Sequence, residues 1–372
     1  MGAAFTKALD IAEALGDTEY QLRALHGLYF YHFGSGRHGA ALQSAQKLHE
    51  LPMSGSDPSN RLDSERMMGA TEHILGDQTS ARLHLEDALT HYAVTDSGRD
   101  VSRFQDVIRF GTDLRVSVRG ILARVLWLQG FPDQAVRTAE MSIEEAQATG
   151  HALTLCWALA LAACPIALWV GNRVAAAHYA EMLLDHSRKH SLPLLGAFGS
   201  RFQRVVTLKD DNSGTGSWLP DSGLDEIAKP DLSFRFLAAL SELTEALARA
   251  GRITDALALV EAGIEHSAAG WLTPELLRVR GELFLLQSSP AAAERAEDLF
   301  RQSLDAARRQ QALSWELRAA TSLARLLRHQ GRPTDAIACL QPIYNRFTEG
   351  FGTADLIAAK QLLDEPGDAG RS

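Results

Sequence analysis

A glycine followed five residues later by an alanine recurs along the chain and limits the folds that it can adopt. The six glycines are separated by 40, 54, 41, 80 and 80 residues, which are one or two steps of about 40 residues plus a single insertion of about 14. A fixed period in this range is typical of a solenoid of stacked helical hairpins. The pairs are Gly36 and Ala41, Gly76 and Ala81, Gly130 and Ala135, Gly171 and Ala176, Gly251 and Ala256, and Gly331 and Ala336.

Each unit has the pattern of a helix, a short turn and a second helix. In SWELRAATSLARLLRHQGRPTDAIACLQPIYNRF, apolar residues recur in two stripes at helical spacing, so two sides of the first helix are predicted to be covered. The glycine ends this helix because a left-handed backbone costs glycine nothing. Pro333 and Asp335 suit the first turn of the second helix. We therefore expect an all-α fold, an α-solenoid of helix-turn-helix repeats.

The segment GSGRHG, Gly34 to Gly39, also matches the G-x-G-x-x-G fingerprint of a dinucleotide site, with Asp57 roughly where a ribose-binding acid is expected. Such a site requires the preceding LYFYHF to be a strand in a parallel sheet, and no further βαβ unit follows to build that sheet. Gly36 is moreover the turn glycine of the first clear repeat. We interpret the fingerprint as a turn between helices and expect no cofactor.

Composition narrows the classes of function further. The net charge of -9 and the pI near 5.8 argue against direct binding of nucleic acid, which needs a clustered basic surface. Cys156, Cys164 and Cys339 each stand alone in helical sequence. This pattern predicts buried free thiols in a reducing compartment rather than disulfides or zinc ligands. The first residues lack the features of a signal peptide, so we expect a cytoplasmic protein.

The stretch from Ala152 to Val170 contains 19 uncharged residues and is long enough to span a bilayer. Many of these residues are alanines, which favour insertion only weakly, and no cluster of basic residues flanks one side. The stretch also falls inside the repeat. We predict a buried helix, with a membrane span as the alternative.

Two segments interrupt the repeat. Residues 92–116 carry the insertion, which we expect to extend a loop between repeats or to add a turn of helix. In residues 209–230, turn-forming residues replace the expected helix and predict a flexible joint. The predicted organisation is an N-terminal lobe of residues 1–208, the joint, a C-terminal lobe of residues 231–365 and a flexible tail of residues 366–372.

Four stretches carry a resemblance: RFGTDLRV at 109–116, LWLQGFPDQAV at 126–136, SWELRAATSLARL at 314–326 and YNRFTEGFGTADLIAAKQLLDE at 344–365. On the basis of these four stretches, the chain resembles, over nearly its whole length, the tetratricopeptide-like repeats at the C-terminal end of large bacterial signalling ATPases. In those proteins a winged-helix DNA-binding domain or a class III adenylate cyclase domain precedes the ATPase module. The Asp-Asn-Ser-Gly-rich segment at 210–217 departs from the family, which keeps a helical repeat there.

The resemblance covers only the repeat part of such proteins. No G-x-x-x-x-G-K-[ST] phosphate loop, cyclase domain or winged helix is present, so ATP hydrolysis, cyclase activity and DNA binding are not implied. What it does imply is a repeat region for protein interaction in signal transduction or transcriptional regulation, with an ATPase or cyclase domain in cis or in trans. We expect a fragment of a larger protein, a split gene product or a stand-alone relative.

Motifs for catalysis and metal binding are weak. His186 and His190 in HSRKH have the spacing of a metalloprotease helix, but Ser187 stands in place of the catalytic glutamate and no third ligand is identifiable. DDNSGTG suggests a calcium loop, yet read from Asp211 it places Ser222 where a bidentate glutamate is required. We therefore expect a non-catalytic chain without a metal site.

Helical arrays of this kind bind peptide or protein segments on a concave surface lined mainly by the first helix of each unit. The repeat register places nine candidate residues there, of which the C-terminal three recur at helical spacing and are suited to hold carboxylates or phosphate. An ordinary solvated face is the alternative. The candidates are Arg23, His26, Arg66, His73, Arg124, Trp127, Arg318, Arg325 and Arg328.

Three functional hypotheses follow from the sequence. The leading one is a non-catalytic sensing or scaffolding module that binds a protein or peptide and reports the binding to an attached or partner ATPase. The second is a repeat domain that holds a small effector between the lobes near the 209–230 joint. The third is an enzyme of unrecognised type, which predicts a compact pocket with shifted ionisable groups.

Overall fold

The computed structural model describes residues 1–51, 59–95, 107–108, 110–210, 240–249, 251–266, 270–287 and 291–365. These residues are helical apart from short turns, and none of them forms a strand. The predicted all-α fold, an array of helix-turn-helix units packed in chain order, is confirmed for the described residues. The LYFYHF segment lies inside a helix, so the G-x-G-x-x-G match is a turn between helices and not a dinucleotide site.

We call the described residues up to 210 the N-terminal lobe and those from 240 to 365 the C-terminal lobe. In the N-terminal lobe, consecutive helices pack side by side. Their bounds are α1 Gly2–Leu15, α2 Thr18–Gly34, α3 His38–Glu50, α4 Ser59–Leu75, α5 Gln78–Thr95, α6 Leu114–Leu128, α7 Pro132–Ala148, α8 Ala152–Ala158, α9 Cys164–Trp169, α10 Arg173–Lys189 and α11 Pro193–Asp210. A π-helical turn, Leu159–Ala163, joins α8 to α9.

The C-terminal lobe continues the same pattern. Its helices are α12 Leu240–Arg249, α13 Ile253–His266, α14 Thr273–Leu285, α15 Ala292–Arg309, α16 Leu313–His329, α17 Pro333–Tyr344 and α18 Ala354–Asp364. Helix α15 lies where SSPAAAERAEDLF predicts a turn followed by an alanine-rich helix.

The repeat signature has the predicted physical role at every unit. All six repeat glycines have a positive φ, between 72° at Gly36 and 94° at Gly76, and each follows the end of a helix. The paired alanines are buried in the second helices, with at most 1% of their surface exposed. Pro132 and Pro333 stand in the first turn of α7 and α17. Small buried side chains let the helices of each hairpin approach closely.

The long apolar segment is a core helix. Residues Ala152–Trp169 have the length and hydropathy of a membrane span, but 78% of them are buried inside the protein. They form α8, the π-helical turn and α9, which pack against α6, α7 and α10. This arrangement agrees with the buried helix predicted from the repeat.

The structure describes part of the insertion at 92–116 and only the first two residues of the 209–230 segment. Helix α5 extends into the insertion as far as Thr95, and α6 begins at Leu114 near its end. Helix α11 extends to Asp210, at the start of the predicted joint, and the described chain resumes at Leu240. Residues 211–239 and the tail from residue 366 are not described, so the joint and the tail remain predictions.

The C-terminal lobe docks on three successive repeat turns of the N-terminal lobe. At the first turn, the Thr79 hydroxyl donates to Gln311 Oε1 over 2.5 Å. At the second turn, the Gly350 amide donates to Asp133 Oδ2 over 3.0 Å. At the third turn, the Ala354 amide lies 3.4 Å from the Val170 carbonyl oxygen. The lobes therefore meet along the edge of the array that the turns form.

Three repeat glycines lie in this contact. A Cβ atom added at Gly76, Gly130 or Gly171 would come within 3.0 Å of Gln310, Leu313 or Ala354 of the C-terminal lobe, respectively. At the remaining repeat glycines, Gly36, Gly251 and Gly331, an added Cβ atom would have no neighbour within 4 Å. Glycine thus serves two purposes in the docked turns, since it permits the left-handed backbone and leaves room for the other lobe.

We expect Gly171→Ala to destabilise the protein by about 1–3 kcal/mol more than Gly331→Ala. Both substitutions force alanine into a left-handed backbone, which costs about 1–2 kcal/mol. The new methyl group at position 171 also lies 2.7 Å from the Cβ of Ala354, whereas position 331 is open. Urea unfolding of both variants measures the difference. Equal losses would mean that the lobes are not docked in solution.

Candidate functional site

A cluster of four tryptophans lies where the lobes meet. Trp127 at the end of α6 and Trp169 at the end of α9 come from the N-terminal lobe, while Trp271 before α14 and Trp315 in α16 come from the C-terminal lobe. Each is at most 2% exposed. The ring centroids of Trp127 lie 4.7 Å from those of both Trp169 and Trp315. Aromatic contacts of this geometry hold the lobes together by burial and by ring electrostatics.

Arg318 of α16 lies against this cluster. Its guanidinium carbon is 5.2 Å from the Trp127 ring centroid and 5.1 Å from that of Trp315. Only 12% of its side chain is exposed. A planar guanidinium suits such a position because its faces stack on the rings while its N–H groups point outward in the plane.

The N–H groups of Arg318 are used within the chain. Nε donates to Asp355 Oδ2 over 2.7 Å, Nη1 to Glu275 Oε1 over 2.9 Å, and Nη2 to the carbonyl oxygen of Trp169 over 3.2 Å. Glu242 Oε1 lies 3.4 Å from Nη1. Burial acts against the charge of Arg318, but Asp355 and Glu275 outweigh burial and raise its pKa above the ordinary value.

Arg278 of α14 completes this network. Its Nε donates to Glu275 Oε2 over 2.7 Å and its Nη2 to Glu245 Oε1 over 2.5 Å. Glu275 is 1% exposed and lies between Arg278 and Arg318. Burial favours its neutral form, yet the two arginines outweigh burial and lower the Glu275 pKa. The result is a rigid base of alternating charges from α12, α14, α16 and α18.

A pocket of about 280 Å³ opens above this network, between α9 and α10 of the N-terminal lobe and α12, α14, α16 and α18 of the C-terminal lobe. We call it the inter-lobe pocket. Its charged lining carries a surplus of two positive charges, although the whole chain has a net charge of -9. The charged residues are Arg173, Arg249, Arg278, Arg318 and Arg325, with Glu242, Glu245 and Asp355.

Arg325 differs from the arginines below it. It is exposed, lies two turns after Arg318 on α16, and lines the pocket. Within the part of the chain that the structure describes, it forms no hydrogen bond or ion pair. Its donors are therefore available to a ligand in the pocket.

Two further candidates, His73 and Arg124, are buried beside Trp271. The His73 ring lies 5.0 Å from the Trp271 ring, and the Arg124 guanidinium carbon lies 4.7 Å from its centroid. Burial lowers the Arg124 pKa to about 10. Burial and the charge of Arg124 lower the His73 pKa well below its usual value. With Trp127 and Arg318, these residues belong to the buried contact between the lobes, and of the four only Arg318 lines the inter-lobe pocket.

The remaining candidates lie apart from that group. Arg23 is exposed and pairs with Glu19 over 3.0 Å. His26 Nε2 lies 3.2 Å from Asp63 Oδ2, and Arg66 pairs with the other oxygen of that carboxylate. Arg328 donates to the carbonyl oxygen of Glu365 over 2.8 Å. The nine candidates predicted from register therefore do not form one surface.

A histidine bridges two carboxylates near Asp63. His84 Nδ1 lies 2.6 Å from Glu65 Oε2, and His84 Nε2 lies 3.4 Å from Glu72 Oε1. Glu65 is 3% exposed. The hydrogen bonds to Glu65 and then to Glu72 raise the His84 pKa to about 10. His84 therefore carries a proton at neutral pH and offsets the buried carboxylate.

No group of side chains suited to hold a metal ion occurs among the described residues. The His186 and His190 rings stack with their centroids 6.1 Å apart on α10 and its end. The calcium-like loop from Asp211 lies outside the described residues. Burial raises the pKa of Cys156 to about 11 and raises that of Cys164 further, which opposes formation of a thiolate nucleophile.

No protein-family model and no curated protein matches this chain. Among solved structures, a Rap protein complexed with competence and sporulation factor is similar with a TM-score of 0.44 and 14% identity, over 90% of this chain and 85% of that one. Yeast Tom70 is similar with a TM-score of 0.32 and 10% identity, over 97% of this chain and 95% of that one. At these scores the likenesses carry no argument about function.

We expect Arg318→Ala to destabilise the protein by about 3–5 kcal/mol, because it removes a buried cation that pairs with the buried carboxylates of Glu275 and Glu242. Arg23→Ala provides the matched control, since Arg23 pairs with Glu19 at the surface and its loss costs no more than about 1 kcal/mol. Denaturant unfolding followed by tryptophan fluorescence measures both. Similar small losses in both variants would contradict the buried network.

The raised pKa of His84 predicts a pH dependence of stability. A raised folded-state pKa adds stability that is complete below the unfolded pKa, near 6.5, and is lost as pH rises through about 10. The stability difference between the wild type and His84→Gln should therefore shrink between pH 6.5 and 10, by about 1 kcal/mol after solvent screening. Unfolding curves across this range test the prediction. A constant offset for His84→Gln across this range would refute the bridge.

Proposed function

We propose that this chain is a non-catalytic helical-repeat module that binds an acidic protein or peptide segment in the inter-lobe pocket. The observation that carries the proposal is the exposed Arg325, which lines the pocket and has no partner in the described chain. At the base of the pocket, Arg278 and Arg318 are instead hydrogen-bonded to carboxylates of the chain. A guanidinium with free donors binds carboxylates through paired hydrogen bonds. The engaged arginines keep the base rigid, so little order must be gained on binding.

Charge supports an acidic ligand. The pocket lining carries a surplus of two positive charges on a chain with a net charge of -9, so the pocket attracts anions that the rest of the surface repels. The lining also includes Ala167, Leu168, Ala354 and Ala358, which offer apolar contact to the stem of a bound side chain. A short acidic segment with an apolar residue matches both features.

Within a cell, we propose that the module acts as a cytoplasmic sensor or scaffold in bacterial signalling or transcriptional regulation. The resemblance of its repeats to those of bacterial signalling ATPases supports an ATPase domain in cis or in trans as the element that receives the signal. Since both lobes line the pocket, a bound segment contacts both lobes at once. Binding would then favour the docked arrangement and offers a way to report occupancy.

A second candidate is a small anionic effector in the same pocket. The volume of about 280 Å³ favours it, because this is close to the lower end of the size range of small-molecule sites. Thermal unfolding in the presence of small dicarboxylates and phosphate separates the candidates, since a small ligand stabilises the folded chain without any protein partner.

We expect acidic peptides selected from a random display library on the wild-type chain to lose at least about tenfold in affinity for Arg325→Glu, or about 1.4 kcal/mol. The substitution places a like charge where the peptide carboxylate binds. Fluorescence anisotropy with a labelled peptide measures the loss, and the wild-type affinity should weaken as salt is raised.

Arg137→Glu is the matched control, because Arg137 is exposed on α7 outside the pocket lining and the substitution changes the net charge equally. It should change the affinity by less than about twofold. Selection of peptides without acidic residues, or equal losses in the two variants, would contradict the proposed site.

A further inference from the structure

Among the described residues, the buried cation of Arg124 has no counter-charge. Only 6% of it is exposed, and its Nε has no hydrogen-bond partner. Among the described residues no carboxylate pairs with it, and burial is the cause of its lowered pKa. The buried Nε donor has lost its hydration without a replacement among the described residues, which is unfavourable unless a ligand or ion supplies the missing partner.

The comparison with Arg318 makes the deficit specific. Both arginines stack on tryptophans of the same cluster, Arg124 on Trp271 and Arg318 on Trp127 and Trp315. Arg318 has carboxylates within ion-pair distance, while Arg124 has none in the described chain. Stacking uses only the faces of the guanidinium, so the N–H groups at the edge of Arg124 remain available.

Neighbouring polar atoms are also unsatisfied. Trp271 Nε1 and His73 Nε2 are buried without partners. The amide of Gln78 donates to the His73 carbonyl oxygen over 3.2 Å, so its Oε1 accepts from His73 Nδ1 over 2.8 Å. This leaves Nε2 as the free ring nitrogen. An anion beside Arg124 would offset the positive charge that helps to lower the His73 pKa, which would favour a proton on Nε2 and add a donor.

We propose that Arg124, with His73 and Trp271, forms an anion site between the lobes that takes one small monovalent anion, a carboxylate or a halide. A single cation among apolar rings balances one negative charge and would leave a divalent anion partly uncompensated. Helices α4 and α6 supply His73 and Arg124, while Trp271 belongs to the C-terminal lobe. A bound anion therefore stabilises the docked lobes. This site is separate from the inter-lobe pocket and does not depend on the proposed peptide binding.

Thermal unfolding of the full chain tests this site. Sodium formate, acetate or chloride is titrated against sodium sulfate at constant ionic strength. We expect a saturable rise of about 1–3 °C in the Tm of the wild type with at least one monovalent anion. Arg124→Met keeps the length of the side chain without the charge and should lose the rise. Arg124→Lys should keep it, as should Arg137→Met at the exposed control position.

Bromide quenching of tryptophan emission gives a second readout that does not depend on stability. A bromide bound beside Trp271 quenches saturably in the wild type, whereas Arg124→Met should show only the linear quenching of exposed rings. A rise with formate or acetate alone assigns a carboxylate site, and a response to chloride and bromide assigns a halide site. No saturable response in the wild type, or the same response in Arg124→Met, would overturn the proposal.

Discussion

The burial of Arg318 between tryptophans from both lobes is the interaction on which the rest of the structure depends. Burying a guanidinium in such a place is strongly unfavourable unless acceptors replace the water lost from its donors. Asp355, Glu275 and the Trp169 carbonyl oxygen provide these acceptors from both lobes. The network therefore forms completely only when the lobes are docked, and it ties the end of the chain to the middle of the N-terminal array.

Docking changes what the repeats can present to a partner. An isolated array of helical hairpins offers the edge formed by its turns to solvent, but here three successive turns are covered by the C-terminal lobe. One accessible polar site among the described residues is the pocket that the lobes form together. A ligand in such a pocket contacts both lobes at once. This is the physical requirement for binding to change the position of one lobe relative to the other.

Arginines that look alike in the sequence occupy three electrostatic environments. Arg318 is buried and paired, Arg124 is buried without a carboxylate in the described chain, and Arg325 is exposed at the pocket. These environments underlie the three proposed roles: Arg318 holds the lobes together, Arg124 binds an anion, and Arg325 contacts a ligand from solvent. Helical spacing in the sequence does not distinguish these three arginines. It carries no information on which carboxylates from distant helices approach each guanidinium.

The sequence by itself determined the repeat and the local structure of each unit. The glycine at each turn, the proline and acid that begin α7 and α17, and the buried alanine act within a few residues, so their consequences are visible in a short window. The same locality explains why GSGRHG is a turn and why Ala152–Trp169 is a core helix. Only the tertiary structure decided that His73, Arg124 and Trp127 are buried. It also decided that they lie beside Trp169, Trp271 and Trp315 in one buried cluster. The base of the pocket, formed by Glu242, Glu275 and Arg278, was likewise decided only there. These residues are brought together by the docking of the lobes. Their burial and charge pairing depend on the relative position of helices that are distant in the sequence rather than on any local pattern.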